Sequence, residues 1–118
     1  MIKPILLVGL GGAAGSIMRY LVSVFVAKYA LFAFPLGTFL INLIGCFCIG
    51  LFTNIIPSTN LRILLIIGFC GGFTTFSTFA NETLALINNN QYPLAFVYTL
   101  SSCILGVSAV WLGMWITK

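Results

Sequence analysis

The third apolar segment of the chain contains, at residues 71–79, the stretch GGFTTFSTF. Its two adjacent glycines weaken a helix, and its four hydroxyl side chains offer the backbone alternative hydrogen-bond partners. The stretch therefore predicts a break in the middle of a helix, although close packing of another helix on Gly71 and Gly72 is an alternative. Irregular backbone at membrane depth is tolerated only where protein buries it or where it lines a cavity. Carbonyls freed by such a break can hold a cation.

The composition predicts an all-α membrane protein with four transmembrane helices. Of the 118 residues, 61% are hydrophobic and 5% are charged, whereas roughly a quarter of the residues of soluble domains are charged. A span requires about 20 apolar residues, so four spans leave only short loops. The predicted single domain, residues 1–118, has helices at residues 5–27, 36–56, 61–87 and 93–116.

The few charges indicate how the chain lies in a membrane. Lys3, Arg62 and Lys118 fall on one side of the predicted spans and Lys28 on the other. This small difference favours cytoplasmic termini and permits insertion in both orientations. The five cations form no basic run, so nucleic acid is not expected as a partner.

The sequence offers no catalytic constellation. It contains no histidine and one acidic residue, Glu82, so neither a nucleophile–base pair nor a carboxylate pair exists. The cysteines also lie in apolar segments, and we interpret them as small packing residues, with disulfides or a metal as the less favoured alternative. Cys46 and Cys48 are two residues apart and point to different helix faces.

An aromatic stripe accompanies the predicted break. Phe73, Phe76 and Phe79 recur at every third position. Such a stripe is usually core or lipid-facing, but ring edges are electropositive, and an anion could rest against them. Ser77 and Thr78 would supply hydroxyl donors beside it.

Polar side chains in the second and fourth helices have two open interpretations. The Asn42 amide offers two donors to an anion that sheds water, or it bonds a neighbouring helix for stability. Tyr98, Ser102 and Gly106 share one face of the fourth helix. The two hydroxyls could extend a donor track or bond backbone carbonyls a turn away.

Arg19 and Glu82 are the charges well inside the predicted spans, where charge is costly and indicates function. Arg19 could instead extend to the membrane interface, and Glu82 could be an interfacial anchor. A role at a pore mouth or in assembly is the alternative for both.

These segments together resemble the Fluc/CrcB fluoride-channel family. The resemblance rests on GFCGGFTTFSTF at residues 68–79 with ANET after it, on PLGTFLINLIG at residues 35–45, and on GGAAGSIMRY at residues 11–20. It extends over nearly the whole chain. It implies passive fluoride export across the plasma (inner) membrane of a prokaryote by an antiparallel, dual-topology homodimer in membrane lipid, with two pores at the dimer interface.

The resemblance also implies roles for individual residues. A structural sodium ion, which is not transported, would be held by the main-chain carbonyls of Gly71 and Thr74 from both subunits. The fluoride pore would be formed by Asn42, Phe76, Phe79, Ser77, Thr78, Tyr98 and Ser102. Arg19 and Glu82 match further functional positions of the family. The chain departs from the family at two positions. Gly106 stands where the family sometimes has serine, and Phe73 stands where it often has leucine. We assign no pore role to Phe73.

Two other functions are compatible with a small four-helix membrane protein. A small multidrug-resistance transporter requires a glutamate in its first helix, and the one acid of this chain, Glu82, lies in the third. A structural or assembly subunit without transport activity would use the polar run of the third helix only for helix packing.

Overall fold

The computed structural model describes residues 1–29 and 33–118. Four helical spans are long and apolar enough to cross a membrane: Ile2–Tyr29, Leu36–Ile55, Thr59–Asn88 and Tyr92–Ile116. No strand occurs in the described residues. The prediction of an all-α protein with four membrane spans is confirmed. The predicted link between the first and second spans includes residues 30–32, which lie outside the described residues.

The first span is helix α1 (Ile2–Tyr29) and the second is α2 (Leu36–Ile55). The third span has several parts, which are α3 (Thr59–Arg62), a π-helical segment (Ile63–Cys70), α4 (Gly71–Phe73) and α5 (Phe76–Asn88). The fourth span is α6 (Tyr92–Ile116).

The turn between the second and third spans is fixed by a cap and by an arginine. The Ser58 hydroxyl accepts a hydrogen bond from the Leu61 N–H at 3.4 Å and caps α3. Arg62 Nη1 donates to the carbonyls of Thr53 and Ile56 at 2.9 and 2.8 Å. These carbonyls end the second span and have no further helical donors, so the guanidinium satisfies groups that the helix leaves free.

Glycines bring the first span against the third. The π-helical segment and α4 both pack on α1, and the backbones approach closely where Gly11 meets Gly68 and Gly12 meets Gly72. A Cβ atom added at Gly72 would lie 2.6 Å from the Gly12 carbonyl oxygen, so only glycine fits there. Small residues allow this approach in lipid, where helices associate mainly by close packing.

The second and fourth spans form the other close pair. A Cβ atom at Gly113 would lie 2.5 Å from the Phe47 carbonyl oxygen, and one at Gly50 would overlap the Val110 carbonyl. Gly45 faces the third span instead, where a Cβ atom would overlap the Thr74 methyl group. The second span therefore packs closely against the backbone of the fourth span and against side chains of the third.

Alanine at Gly11 and at Gly9 should have different effects on stability. At Gly11 the new methyl group would meet the Leu64 carbonyl and lie 2.9 Å from the Phe69 nitrogen, whereas Gly9 has nothing within 4 Å. We expect Gly11→Ala to lower the free energy of unfolding in detergent by about 1–3 kcal/mol, as overpacking does. Gly9→Ala should leave it unchanged or raise it by up to about 1 kcal/mol through helix propensity. Equal effects in denaturant titrations would contradict the glycine contact.

Candidate functional site

The helix of the third span is interrupted at two consecutive threonines. Thr74 (φ −81°, ψ 158°) and Thr75 (φ −150°, ψ 123°) are both extended. The Thr74 N–H still donates to the Cys70 carbonyl at 3.0 Å, but the Thr75 N–H leaves the helical ladder. The backbone groups around this break need other partners, because the membrane interior supplies no water for them.

A single side chain satisfies both backbone groups of Thr75. The Thr75 N–H donates to Asn42 Oδ1 at 2.8 Å, and Asn42 Nδ2 donates to the Thr75 carbonyl at 3.0 Å. The amide uses one of its two N–H donors in this pair. Asn42 thus bonds a neighbouring span, as the stability interpretation requires, and it also lines the cavity described below.

Thr75 also caps the helix that follows the break. Its Oγ1 accepts from the Thr78 N–H at 3.2 Å and donates to Thr78 Oγ1 at 3.2 Å. Ser77 Oγ lies 3.3 Å from the same Oγ1. The predicted pore hydroxyls of Ser77 and Thr78 therefore belong to the capping cluster at the start of α5.

Arg19 reaches the break from the first span. Its Nε donates to the Gly72 carbonyl at 3.0 Å. In a continuous helix this carbonyl would accept from the N–H of Phe76, four residues later. The structure therefore places the Arg19 guanidinium at the interrupted backbone in the middle of the third span, a position that the sequence interpretation did not include.

The carbonyls of Gly71 and Thr74 also lack the N–H donors that a continuous helix would give them. The donor for Gly71 in a continuous helix would be the Thr75 N–H, which bonds Asn42. The donor for Thr74 would be the Thr78 N–H, which bonds the Thr75 hydroxyl. Gly71 is also exposed, and a Cβ atom there would meet nothing nearer than 3.9 Å.

An open cavity of about 280 Å³ lies beside the break. It is lined by Asn42, Cys46, Ile49, Thr74, Thr75, Phe76, Phe79, Ser102, Cys103 and Gly106. Four of the predicted pore residues thus meet here: Asn42, Phe76, Phe79 and Ser102. Of the described residues predicted for the pore, Ser77, Thr78 and Tyr98 lie outside this lining.

Two aromatic rings form one wall of the cavity. The Phe76 and Phe79 ring centroids are 5.8 Å apart with the planes at 49°, and Phe79 lies 5.0 Å from the Tyr98 ring. The Phe76 side chain is 78% exposed, so one face of this aromatic wall has no cover within a single chain.

Glu82 is held by two hydroxyl donors. Thr38 Oγ1 donates to Oε2 at 3.0 Å, and the Tyr98 hydroxyl donates to Oε1 at 2.9 Å. Tyr98 is fully buried, and its single O–H is used in this bond. The structure therefore brings Tyr98 to Glu82, which itself lines a separate cavity near Pro35 and Asn89.

Comparison with known proteins identifies the family. Residues 6–114 match the family described as CrcB-like protein, Camphor Resistance (CrcB). The chain belongs to the CrcB family. This confirms the resemblance found in the sequence.

Several curated CrcB-family relatives have the name "Fluoride-specific ion channel FluC". One from Phocaeicola vulgatus is 43% identical, with 98% of this chain and 99% of the relative aligned. One from Flavobacterium psychrophilum is 43% identical over 98% of both chains. One from Gloeothece citriformis is 45% identical over 97% of this chain and 96% of the relative. Because these relatives are channels, the prediction that the chain is not an enzyme is also confirmed.

Sequence reasoning missed several residues of the site. Cys46 and Ile49 lie four and seven residues after Asn42, so helical spacing from the amide could have found them. Thr75, a hydroxyl residue three before Thr78, could have been recognised as a helix N-cap. Thr38 gives no such signal, because its bond to Glu82 joins two spans.

Replacing Asn42 with leucine should be much more damaging than the same change at Asn54. Asn42→Leu would leave the N–H and C=O of the partly buried Thr75 without their partner, at up to about 1–3 kcal/mol for each group. Asn54 is exposed near the end of α2 and donates one bond, to the Met114 carbonyl at 2.8 Å. Denaturant titrations in detergent would measure both free energies of unfolding. An equal loss would show that the amide is not the partner of the break.

Proposed function

We propose that the chain is a fluoride-selective channel that releases fluoride passively across the plasma membrane and so lowers its toxicity in the cell. The names of the CrcB-family relatives support fluoride as the ion. The observation that carries the proposal is the cavity at the helix break, where Asn42, the α5 N-terminus and the rings of Phe76 and Phe79 lie together.

The cavity suits a small anion. Helix α5 begins at Phe76, so its first N–H groups and the positive end of its dipole lie beside the cavity. Asn42 keeps a second N–H donor, and the Phe76 and Phe79 ring edges are electropositive. In the part of the chain that the structure describes, no lysine or arginine lines the cavity. Neutral donors hold an anion weakly enough for it to leave, as conduction requires.

The single chain leaves this cavity open, which supports a homodimer with pores at the interface. Phe76 is 78% exposed and Gly71 is exposed. A polar helix break facing lipid would be strongly disfavoured, so a second copy of the chain would cover it. An antiparallel pair, inserted in both orientations, would bring two mid-span breaks together at its two-fold axis. The difference in positive charge between the two sides of the spans is small enough to permit this dual topology.

The Gly71 and Thr74 carbonyls fit a structural sodium ion between the subunits. Their helical donors bond elsewhere, and unwound backbone carbonyls are a recurrent ligand set for sodium. Within the described residues, no group of three or more His, Cys, Asp or Glu side chains could hold a metal. Main-chain oxygens from both subunits would therefore supply the site, and the bound ion would add positive charge at the centre of the dimer.

The remaining residues hold or extend the path. Arg19 donates to the Gly72 carbonyl and so stabilises the break. Glu82 accepts the Tyr98 hydroxyl bond and so holds the Tyr98 ring against Phe79. Ser102 lines the cavity on the fourth span and would continue the path with its hydroxyl. The capping hydroxyls of Ser77 and Thr78 would meet fluoride at the start of α5.

Fluoride release from liposomes tests the proposal. Purified protein would be reconstituted in vesicles loaded with potassium fluoride, with sodium present equally on both sides, and release would be followed with an electrode after a potassium ionophore is added. We expect rapid fluoride release, no release from chloride-loaded vesicles, and no requirement for a proton gradient. Folded protein that releases no fluoride would contradict the proposal and favour an assembly subunit, whereas proton-dependent transport would favour a transporter.

A phenylalanine substitution tests the aromatic wall. We expect Phe76→Leu to slow fluoride release by up to about tenfold, because losing an interaction as strong as an aromatic pair, up to roughly 1.5 kcal/mol, corresponds to such a change in rate. Phe96→Leu is the matched control, since Phe96 is 66% exposed on the fourth span and lies outside the cavity lining. Equal rates for the two variants would remove Phe76 from the path.

Sodium depletion tests the structural ion. Replacing sodium with a large organic cation on both sides should slow fluoride release, and restoring sodium should recover it, because the carbonyls at the break would otherwise lack their counter-charge. The protein should carry no sodium current during this exchange, because the proposed sodium ion is structural and is not transported. Release that is unchanged without sodium would argue against an ion held by Gly71 and Thr74.

A further inference from the structure

Two cysteines from different spans line the cavity beside the helix break. Cys46 comes from α2 and Cys103 from α6, and both thiols are free. We propose that they form a binding site for soft, thiophilic monovalent cations, represented by Ag⁺, and that an ion bound there blocks the anion path. The block rests on the proposed channel function, whereas the binding does not.

The helical positions direct both residues to the same cavity. Cys46 follows Asn42 by one turn, and its sulphur lies 3.7 Å from the position of a Cβ atom at Gly106. Cys103 is exposed. Gly106 follows it by three residues, so both lie on the same face of α6. Gly106 has no side chain to fill the space beside Cys46, so the two thiols meet the cavity from its second-span and fourth-span walls.

The chemistry of this pair selects a particular class of ion. Thiolates are soft ligands and favour soft monovalent ions such as Cu⁺ over hard cations. A structural zinc site, by contrast, would need about four ligands. Among the described residues no group of three or more metal-binding side chains exists, so zinc is not expected here. On binding, an S–H bond is replaced by an S–Ag bond, the proton passes to water and no electrons are transferred.

The other two cysteines lie outside the described cavity lining, and Cys48 serves as the control. Cys48 lies two residues after Cys46 on the same helix and is absent from the described cavity lining, while Cys70 is only 1% exposed. A cation at Cys46 and Cys103 would lie beside Asn42, Phe76 and Ser102, which are the groups assigned to the anion. Its presence in a cavity of about 280 Å³ would therefore obstruct fluoride.

Silver nitrate added to fluoride-loaded liposomes in chloride-free solution tests the block, because silver fluoride is soluble. We expect Ag⁺ to remove most of the fluoride flux of the unmodified protein and of Cys48→Ser, with recovery after excess dithiothreitol. The Cys46→Ser/Cys103→Ser double variant should release fluoride at the same rate with and without Ag⁺. The corresponding alanine double variant provides a second test if the serine protein folds poorly.

Silver retained by the purified protein after gel filtration gives a readout that does not depend on flux. The unmodified protein and Cys48→Ser should retain silver in equal amounts, and the double variant should retain much less. Equal retention by all three, or a block that persists in the double variant, would overturn the thiol site. Absence of fluoride flux before silver is added would instead count against the proposed channel, while the retention measurement would still decide the site.

Discussion

The pairing of Asn42 with the backbone of Thr75 is the interaction on which the rest of the site depends. A helix interrupted inside a membrane exposes N–H and C=O groups that no water satisfies. Here one amide on the second span bonds both groups of Thr75, and Arg19 on the first span bonds the Gly72 carbonyl. The break is therefore held by two neighbouring spans, and glycines at the contacts allow those spans to approach.

The same interruption creates an electronegative region and an electropositive region a few residues apart. Before and within the break, the carbonyls of Gly71 and Thr74 have lost their usual helical donors and suit a cation. After it, the first N–H groups of α5 and the edges of the phenylalanine rings suit an anion. A helix with a continuous ladder would offer neither the free carbonyls nor the free N–H groups, so one local departure from helical geometry contributes to both proposed ion sites.

The spans and the break were accessible from the sequence because their signals are local. Long apolar runs predict spans, and Gly71 and Gly72 with the following hydroxyls predict an interruption. The partners of the break were not accessible in this way, because Arg19 with Gly72 and Thr38 with Glu82 are contacts between spans. Tyr98 illustrates this, since its helical face was compatible with a donor track or with bonds to backbone carbonyls, and the structure gives its hydroxyl to Glu82.

A through-hydrogen-bond NMR coupling would test the central pairing most directly. In isotopically labelled protein in micelles, the account predicts a coupling between the Thr75 amide nitrogen and the side-chain carbonyl carbon of Asn42, which should vanish in Asn42→Leu. A coupling from the Thr75 nitrogen to the Gly71 backbone carbonyl carbon would instead show a continuous helical ladder. That result would contradict the break and the two ion sites that depend on it.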